Sequence, residues 1–282
     1  MPAKIFLDSS DPKETREIQN IIGFLDGQTT NPTNFAKSPS VQERIRNGEK
    51  FTKDEVYARY KKTVQSISSL IPHGSVSIEV HADLDTTSDE MIQEAREMFS
   101  WIPNAHIKLP ITSAGLGAAE VLSSEGVRLN MTLCFSQTQA AAVHAATKGA
   151  PLGNVFISPF IGRLDDIKEN GADLLANIIK MYQKAGSSVQ VLAASIRNMD
   201  HIFAAIGFGA HIITASFATL REWGTKGKPS PHEGWNYNSK SLRQIPYYDY
   251  DMNLAWQEYD IAHPLTSAGL NQFAEDWNAL MA

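Results

Sequence analysis

A lysine in the apolar run Ala105-His106-Ile107-Lys108-Leu109-Pro110 is the clearest hint of chemistry in this chain. The run stops at a proline and predicts a buried strand. Lysine is almost never fully buried without a partner or a job, and burial disfavours the charged form of an amine. A neutral amine attacks carbonyl carbon. Taken alone, Lys108 reads better as a strand-end side chain whose ammonium snorkels to solvent. Its company changes that reading. Asp8, Glu79, Asn130, Thr132, Ser158 and Ser195 fall in or at the ends of other strand-like runs. One amine, two carboxyls and hydroxyls able to hold a water are the parts for forming and hydrolysing a Schiff base. No cofactor is needed for that step. Arg163 and Arg197 follow two of the later strands and have the fork geometry for phosphate or sulfonate oxygens. The alternative for Arg163 is a loop ion pair with Asp165 or Asp166.

These residues converge only if the strands lie side by side. Strand-like runs at 4–8, 24–27, 75–80, 105–110, 127–133, 155–158, 189–195 and 211–215 alternate with helix-like runs. Pro12 opens the first helix, to Ile22. Val56, Tyr60, Val64, Ile67 and Ile71 mark a helix over 53–70. Thr87 and Glu90 have capping-box spacing ahead of the next one. Further helices are expected over 113–124, from Gln137, over 173–185 and over 199–206. Such βα repetition predicts an α/β fold with a parallel sheet. Eight units in about 215 residues fit a (β/α)8 TIM barrel, usually roughly 250 residues. An open doubly wound sheet is disfavoured because no Gly-x-Gly-x-x-Gly follows the first strand.

In a barrel, alternate strand residues point inward and catalytic groups sit at the C-terminal strand ends. Alternation turns Asp8, Glu79, Lys108, Asn130 and Thr132 inward, and assigns Ser195 inward with Leu192 and Ala194 outward. Three parts are expected: a barrel over 1–220, an aromatic-rich excursion over 221–262, and a C-terminal helix within 263–282 on the barrel or a neighbouring subunit. The excursion carries Trp223, Trp235, Tyr237, Tyr247, Tyr248, Tyr250, Trp256 and Tyr259. That content points to packing or an interface before a lid. Residues 36–52 are polar and read as an insertion.

Bulk properties exclude several classes. The chain has 282 residues, 43% hydrophobic and 20% charged, as in an ordinary soluble protein. A net charge of −6 argues against a general nucleic-acid binder. No apolar run suits a membrane span. The single cysteine, Cys134, rules out an internal disulfide and fits a reducing cytoplasm. It sits where a small buried residue belongs, without an obvious base. His81-Ala82-Asp83-Leu84-Asp85 is the best metal-ligand cluster, but its acids more simply precede a helix N-terminus, so no metal is expected.

At these residues the chain resembles the transaldolase family of class I aldolases. Asp26-Gly27-Gln28-Thr29-Thr30-Asn31-Pro32 is similar to the family's second-strand signature, and Ile107-Lys108-Leu109-Pro110 to the segment with its imine-forming lysine. Asn130-Met131-Thr132-Leu133, Ser158 through Asp165 and Ala194-Ser195-Ile196-Arg197-Asn198 match three more motifs in order. The resemblance covers most of 1–220 and returns at His263 through Trp277. It implies that Lys108 forms the imine, Asp8 shuttles a proton, and Glu79 and Thr132 hold a water. It implies that Asn31, Asn130 and Ser158 bind substrate hydroxyls, and that Arg163, Ser195 and Arg197 hold a phosphate. The substrates would be sugar phosphates or sulfosugars. Relatives that release free dihydroxyacetone have glutamine and tyrosine where Glu79 and Phe160 stand, so those two residues favour transfer. The ending resembles that of short transaldolases, which form ring-like oligomers, so a homo-oligomer is expected. The stretch at 36–52 and the excursion depart from the family pattern.

Overall fold

A computed structural model describes residues 2–239 and 241–281. Strand β1 (Lys4–Asp8) leads to α1 (Pro12–Ile22), capped by the Asp11 carboxylate and ended by Gly23 at φ 85°. Then follow β2 (Gly27–Thr29), the short helices α2 (Pro32–Ala36) and α3 (Pro39–Arg46), and α4 (Lys53–Leu70). The order continues with β3 (Ser75–Glu79), α5 (Ser88–Phe99), β4 (Ala105–Pro110), α6 (Ser113–Ser124), β5 (Leu129–Cys134) and α7 (Gln137–Ala146). Next are β6 (Val155–Pro159), α8 (Ile161–Asp166), α9 (Gly171–Ala185), β7 (Gln190–Ile196), α10 (Met199–Phe208), β8 (Ile212–Ser216), α11 (Phe217–Thr225) and α12 (Pro264–Asn278). The strands are parallel and close in sequence order, with β1 beside β8. This is the expected TIM barrel.

Local chemistry sets these boundaries. Thr52–Glu55 and Thr87–Glu90 both form complete capping boxes, satisfying otherwise orphan N–H groups at the starts of α4 and α5. Strands β4, β5 and β6 are buried at every position, because helices cover one face and the barrel interior the other. Among the described residues, no helix is long and apolar enough to cross a membrane.

Four expectations shift. Strand β2 begins at Gly27 instead of Phe24, whose side chain is exposed. Asp26 is used up beforehand, accepting the Ile5 N–H at 2.8 Å. A Cβ at Gly27 would lie 2.5 Å from the Phe6 ring, so only glycine lets the strand pass over that ring. The polar stretch 36–52 contains α3, whose Val41 joins the core. Helix α11 runs across position 220, where the barrel was expected to end. In β7 the facing is reversed: Leu192 and Ala194 lie inside the barrel with Phe6, Phe156 and Ile212. The register shifts between Ala193 and Ile196, and Ser195 has φ 57°. Simple alternation fails across such a bulge.

Beyond α11 the chain forms an irregular strap over the outer helices. The Asp173 carboxylate accepts the Ile245 N–H, Gln137 exchanges two hydrogen bonds with the Tyr248 backbone, and the Trp256 indole donates to Glu120. Tyr247, Tyr250 and Trp256 pack against the core. Helix α12 then lies on α2 and the end of β5, where the Thr266 hydroxyl donates to the Leu133 carbonyl at 3.0 Å.

Candidate active site

The barrel interior is layered. Phe6, Phe156, Leu192, Ala194 and Ile212 fill the lower part, and His106 stacks on Phe156 with ring centres 4.1 Å apart. Above this floor the inward side chains turn polar. Lys108, 4% exposed, donates to Glu79 Oε2 at 2.6 Å and to the Thr30 carbonyl at 3.1 Å. Residues Glu79 and Lys108 are register partners on β3 and β4, which is why the two meet. Snorkelling is therefore not what Lys108 does: its ammonium is turned into the barrel.

Asp8 stands at the end of β1. Its Oδ1 accepts from Thr29 Oγ1 at 2.9 Å, Asn34 Nδ2 at 3.0 Å and Asn31 Nδ2 at 3.3 Å. Burial pushes the Asp8 carboxyl above its ordinary range, opposed by Lys108 and then by the Thr29 and Asn34 hydrogen bonds. Burial likewise raises Glu79, with Lys108 opposing it. Two carboxyls of raised basicity beside one lysine suit proton transfer. The Thr132 hydroxyl is buried and has no hydrogen-bond partner among the described residues. It is available to a substrate oxygen or a water. Ser158 donates to Asn130 Oδ1 at 2.7 Å, and Asn130 in turn donates to Ser77 at 3.1 Å, so this amide is held from both ends.

Asp8, Asn31, Lys108, Thr132, Ser158, Phe160, Arg163, Ser195 and Arg197 line one cavity of about 450 Å³. Glu79 and Asn130 lie immediately behind it, bonded to Lys108 and Ser158. Every residue expected at the site is thus brought to one end of the barrel. Ser195 arrives by its left-handed backbone, not by alternation.

The arginines sit at the far wall. Arg163 does not pair with Asp165 or Asp166. Asp166 pairs with Arg197 at 2.9 Å, and Asp165 is taken by His201. Arg163 instead lies between two rings, its guanidinium carbon 5.2 Å from the Phe160 centroid and 5.5 Å from that of Phe273. Burial, followed by repulsion from Arg197, works against its charge. An oxyanion between the two guanidiniums would relieve both effects.

Sequence reasoning missed Thr29, Asn34 and Phe273, all of which line the cavity. Asn34 had a signal, since it stands one helical turn from Asn31 on α2. Phe273 had none, because α12 returns over the barrel mouth only in the tertiary fold. The His81–Asp85 cluster lies outside the barrel. Asp83 there caps its own turn, accepting from Asp85 N, Thr86 N and Thr86 Oγ1. Cys134 is buried, and burial pushes its thiol up to about 12, far from a working nucleophile.

Comparison with known proteins gives the same direction. A protein from Dehalococcoides mccartyi named "Probable transaldolase" is 34% identical over 277 residues, covering 98% of this chain and 99% of that one. One of the same name from Brucella anthropi is 36% identical over 274 residues, covering 97% and 96%. An enolase structure from Agrobacterium radiobacter shares the barrel alone, with TM-score 0.50 and 10% identity over 76% of this chain and 51% of that one. The model of the transaldolase/fructose-6-phosphate aldolase family matches residues 5–282, through every strand end that builds the cavity, and the chain belongs to that family.

Proposed function

We propose that this protein is a transaldolase, moving a dihydroxyacetone unit from a ketose phosphate such as fructose 6-phosphate to an aldose phosphate. The observation that carries this reading is the buried Lys108–Glu79 pair, 2.6 Å apart, sharing one polar chamber with Asp8. Glu79 takes a proton from the Lys108 ammonium, and the free amine adds to the ketose C2 carbonyl. Return of that proton expels the C2 oxygen as water and leaves the imine. Asp8, ionised, accepts the C4 hydroxyl proton as the C3–C4 bond breaks, and the bonding electrons pass into the protonated imine to give an enamine. The aldose phosphate departs. An incoming aldehyde is attacked by the enamine, Asp8 returns its proton to the new alkoxide, and water held near Glu79 and Thr132 hydrolyses the imine. Asn31, Asn130 and Ser158 would bind the hydroxyls of the retained unit, and Arg163, Ser195 and Arg197 the distal oxyanion.

Phe160 supports transfer over release. It puts a ring without a hydroxyl on the cavity wall, so it offers nothing to hold a hydrolytic water there. Borohydride reduction with fructose 6-phosphate should leave a three-carbon adduct on Lys108, located by mass spectrometry and absent from Lys108→Met. Turnover should depend on added aldose phosphate. Acceptor-independent release of dihydroxyacetone would make the protein a lyase. No adduct with any phosphorylated or sulfonated ketose would sink both readings.

A further inference from the structure

From the strap after α11, Tyr237 reaches the helix that carries Arg163. Tyr237 donates its hydroxyl to Asp165 Oδ2 at 2.5 Å. The same carboxylate oxygen lies 2.9 Å from His201 Nε2. His201 Nδ1 accepts the backbone N–H of Arg197 at 3.2 Å, so Nε2 carries the ring proton and shares it between Asp165 and the Tyr237 hydroxyl, which also lies 2.9 Å away. His201 is 2% exposed, leaving this link little solvent competition. The second carboxylate oxygen of Asp165 accepts the Gly171 N–H at 2.9 Å, tying α8 to the start of α9.

Asp165 lies on α8, the helix that carries Arg163, while His201 lies on α10 and holds the backbone of Arg197. The two segments also touch directly. A Cβ on Gly162 would sit 2.2 Å from the Ser195 carbonyl and 2.6 Å from Arg197 Cγ. The distance between the two guanidiniums therefore depends on how α8 seats on the loop after β7. Asp165 and His201 clasp that seat from behind, and Tyr237 fills the remaining lobe of the carboxylate.

We propose that Tyr237, Asp165 and His201 form a clasp that positions Arg163 and Arg197 for the tetrahedral oxyanion, phosphate or sulfonate, at the distal end of the substrate. The strap thereby sets donor affinity from outside the barrel. These three are positioning residues, since none lines the cavity. The inference rests on the anion role given to the arginines under the proposed function.

Tyr237→Phe tests it with little risk to folding, because the ring keeps its packing on His201 and Trp235. The KM for fructose 6-phosphate should rise about fivefold, the size of effect that loss of one hydrogen bond gives, while kcat stays within about twofold. The KM for unphosphorylated fructose should not move. Inorganic phosphate, titrated by calorimetry, should bind the variant more weakly by the same factor. Tyr250→Phe removes a strap hydroxyl bonded to Thr138, away from the cavity, and should change none of these values. Unchanged phosphate binding in Tyr237→Phe would overturn the clasp. So would equal losses for phosphorylated and unphosphorylated donors, which would mean general loosening. A wild type that turns over no sugar, but whose phosphate binding weakens in Tyr237→Phe alone, would sink the proposed function and leave the clasp standing.

Discussion

Asp8 illustrates how much of this site is carried by hydrogen bonds to a single atom. Oδ1 takes three donors, and each favours the ionised form against a burial that disfavours it. In the proposed reaction Asp8 must be ionised to accept the C4 hydroxyl proton, so raising its pKa would move the acid limb of kcat/KM upward. Asn34→Leu removes one donor and keeps an α2 side chain of similar size. The acid limb should shift up by about one pH unit, since a charge-assisted hydrogen bond is worth about 1.5–3 kcal/mol. Activity should recover at higher pH. A pH–rate profile is the measurement; a uniform drop with an unmoved limb would show that Asn34 acts on something other than Asp8. Lys108 was legible at this scale because a charged residue in an apolar run is conspicuous. Asn34, one helical turn beyond the capping Asn31, gave a weaker signal, because an asparagine near a helix start is ordinary capping chemistry.

At the scale of elements, α12 is the part of the site that comes from the far end of the chain. It brings Phe273 against Arg163 and to within 6.0 Å of Lys108 Nζ. It gets that close because residue 269 is glycine: a Cβ there would sit 2.6 Å from both Arg163 Nη1 and Leu133 Cδ2. Leu133 cannot easily retreat, since it is buried with φ 61° at the β5 bulge. Gly269→Ala should therefore displace Arg163 or lift α12. Steady-state kinetics should show KM for phosphorylated donors up by about tenfold, the scale set by loss of one charged contact. Thermal melting should show a loss of about 1–3 kcal/mol, as overpacking does. Wild-type kinetics would mean that α12 does not set the Arg163 position. The β7 bulge teaches a related lesson. Period-two reading gave the right facing on β1, β3, β4 and β5 as far as Thr132, and the wrong one for Leu192 and Ala194 on β7, which it counted back from Ser195 across that residue's left-handed backbone.

For the whole molecule, the barrel floor makes stability pH-dependent. His106 ties β4 to β3 and to the loop before β6: the Ser75 hydroxyl donates to Nδ1 at 2.8 Å, and Nε2 donates to the Gly153 carbonyl at 3.0 Å. Burial lowers its pKa from about 6.5 to about 3. Between those values the unfolded chain binds a proton that the folded chain refuses, so stability falls as pH drops from about 6.5 toward about 3. The raised carboxyls of Asp8 and Glu79 act oppositely, and their protonated forms favour the fold less as pH rises above the ordinary carboxylate range. His106→Gln should be less stable than wild type at pH 7.5 by about 1–3 kcal/mol, from lost hydrogen bonds and stacking. The gap should narrow as pH falls through about 6 to about 4, because only the wild type carries the histidine penalty. Denaturant melts across that range measure it; a constant gap would mean that His106 takes up a proton as readily in the folded chain as in the unfolded one.

The sequence by itself determined the barrel, the inward lysine with its carboxyls and hydroxyls, and the arginines beyond the later strands. Those features follow from periodicity along single strands and from motifs within a few residues, which are local properties. Tertiary structure alone decided that Glu79 rather than Asp8 bonds Lys108, that Arg163 rests between rings while Arg197 takes Asp166, and that Tyr237 meets Asp165. Apart from Arg163 on Phe160, three residues back at the start of the same helix, these pairings join residues from separate parts of the chain. Which partners meet depends on strand register, on bulges and on where a returning helix lands, and the free-energy differences among rival pairings are set by burial that exists only once the barrel has closed.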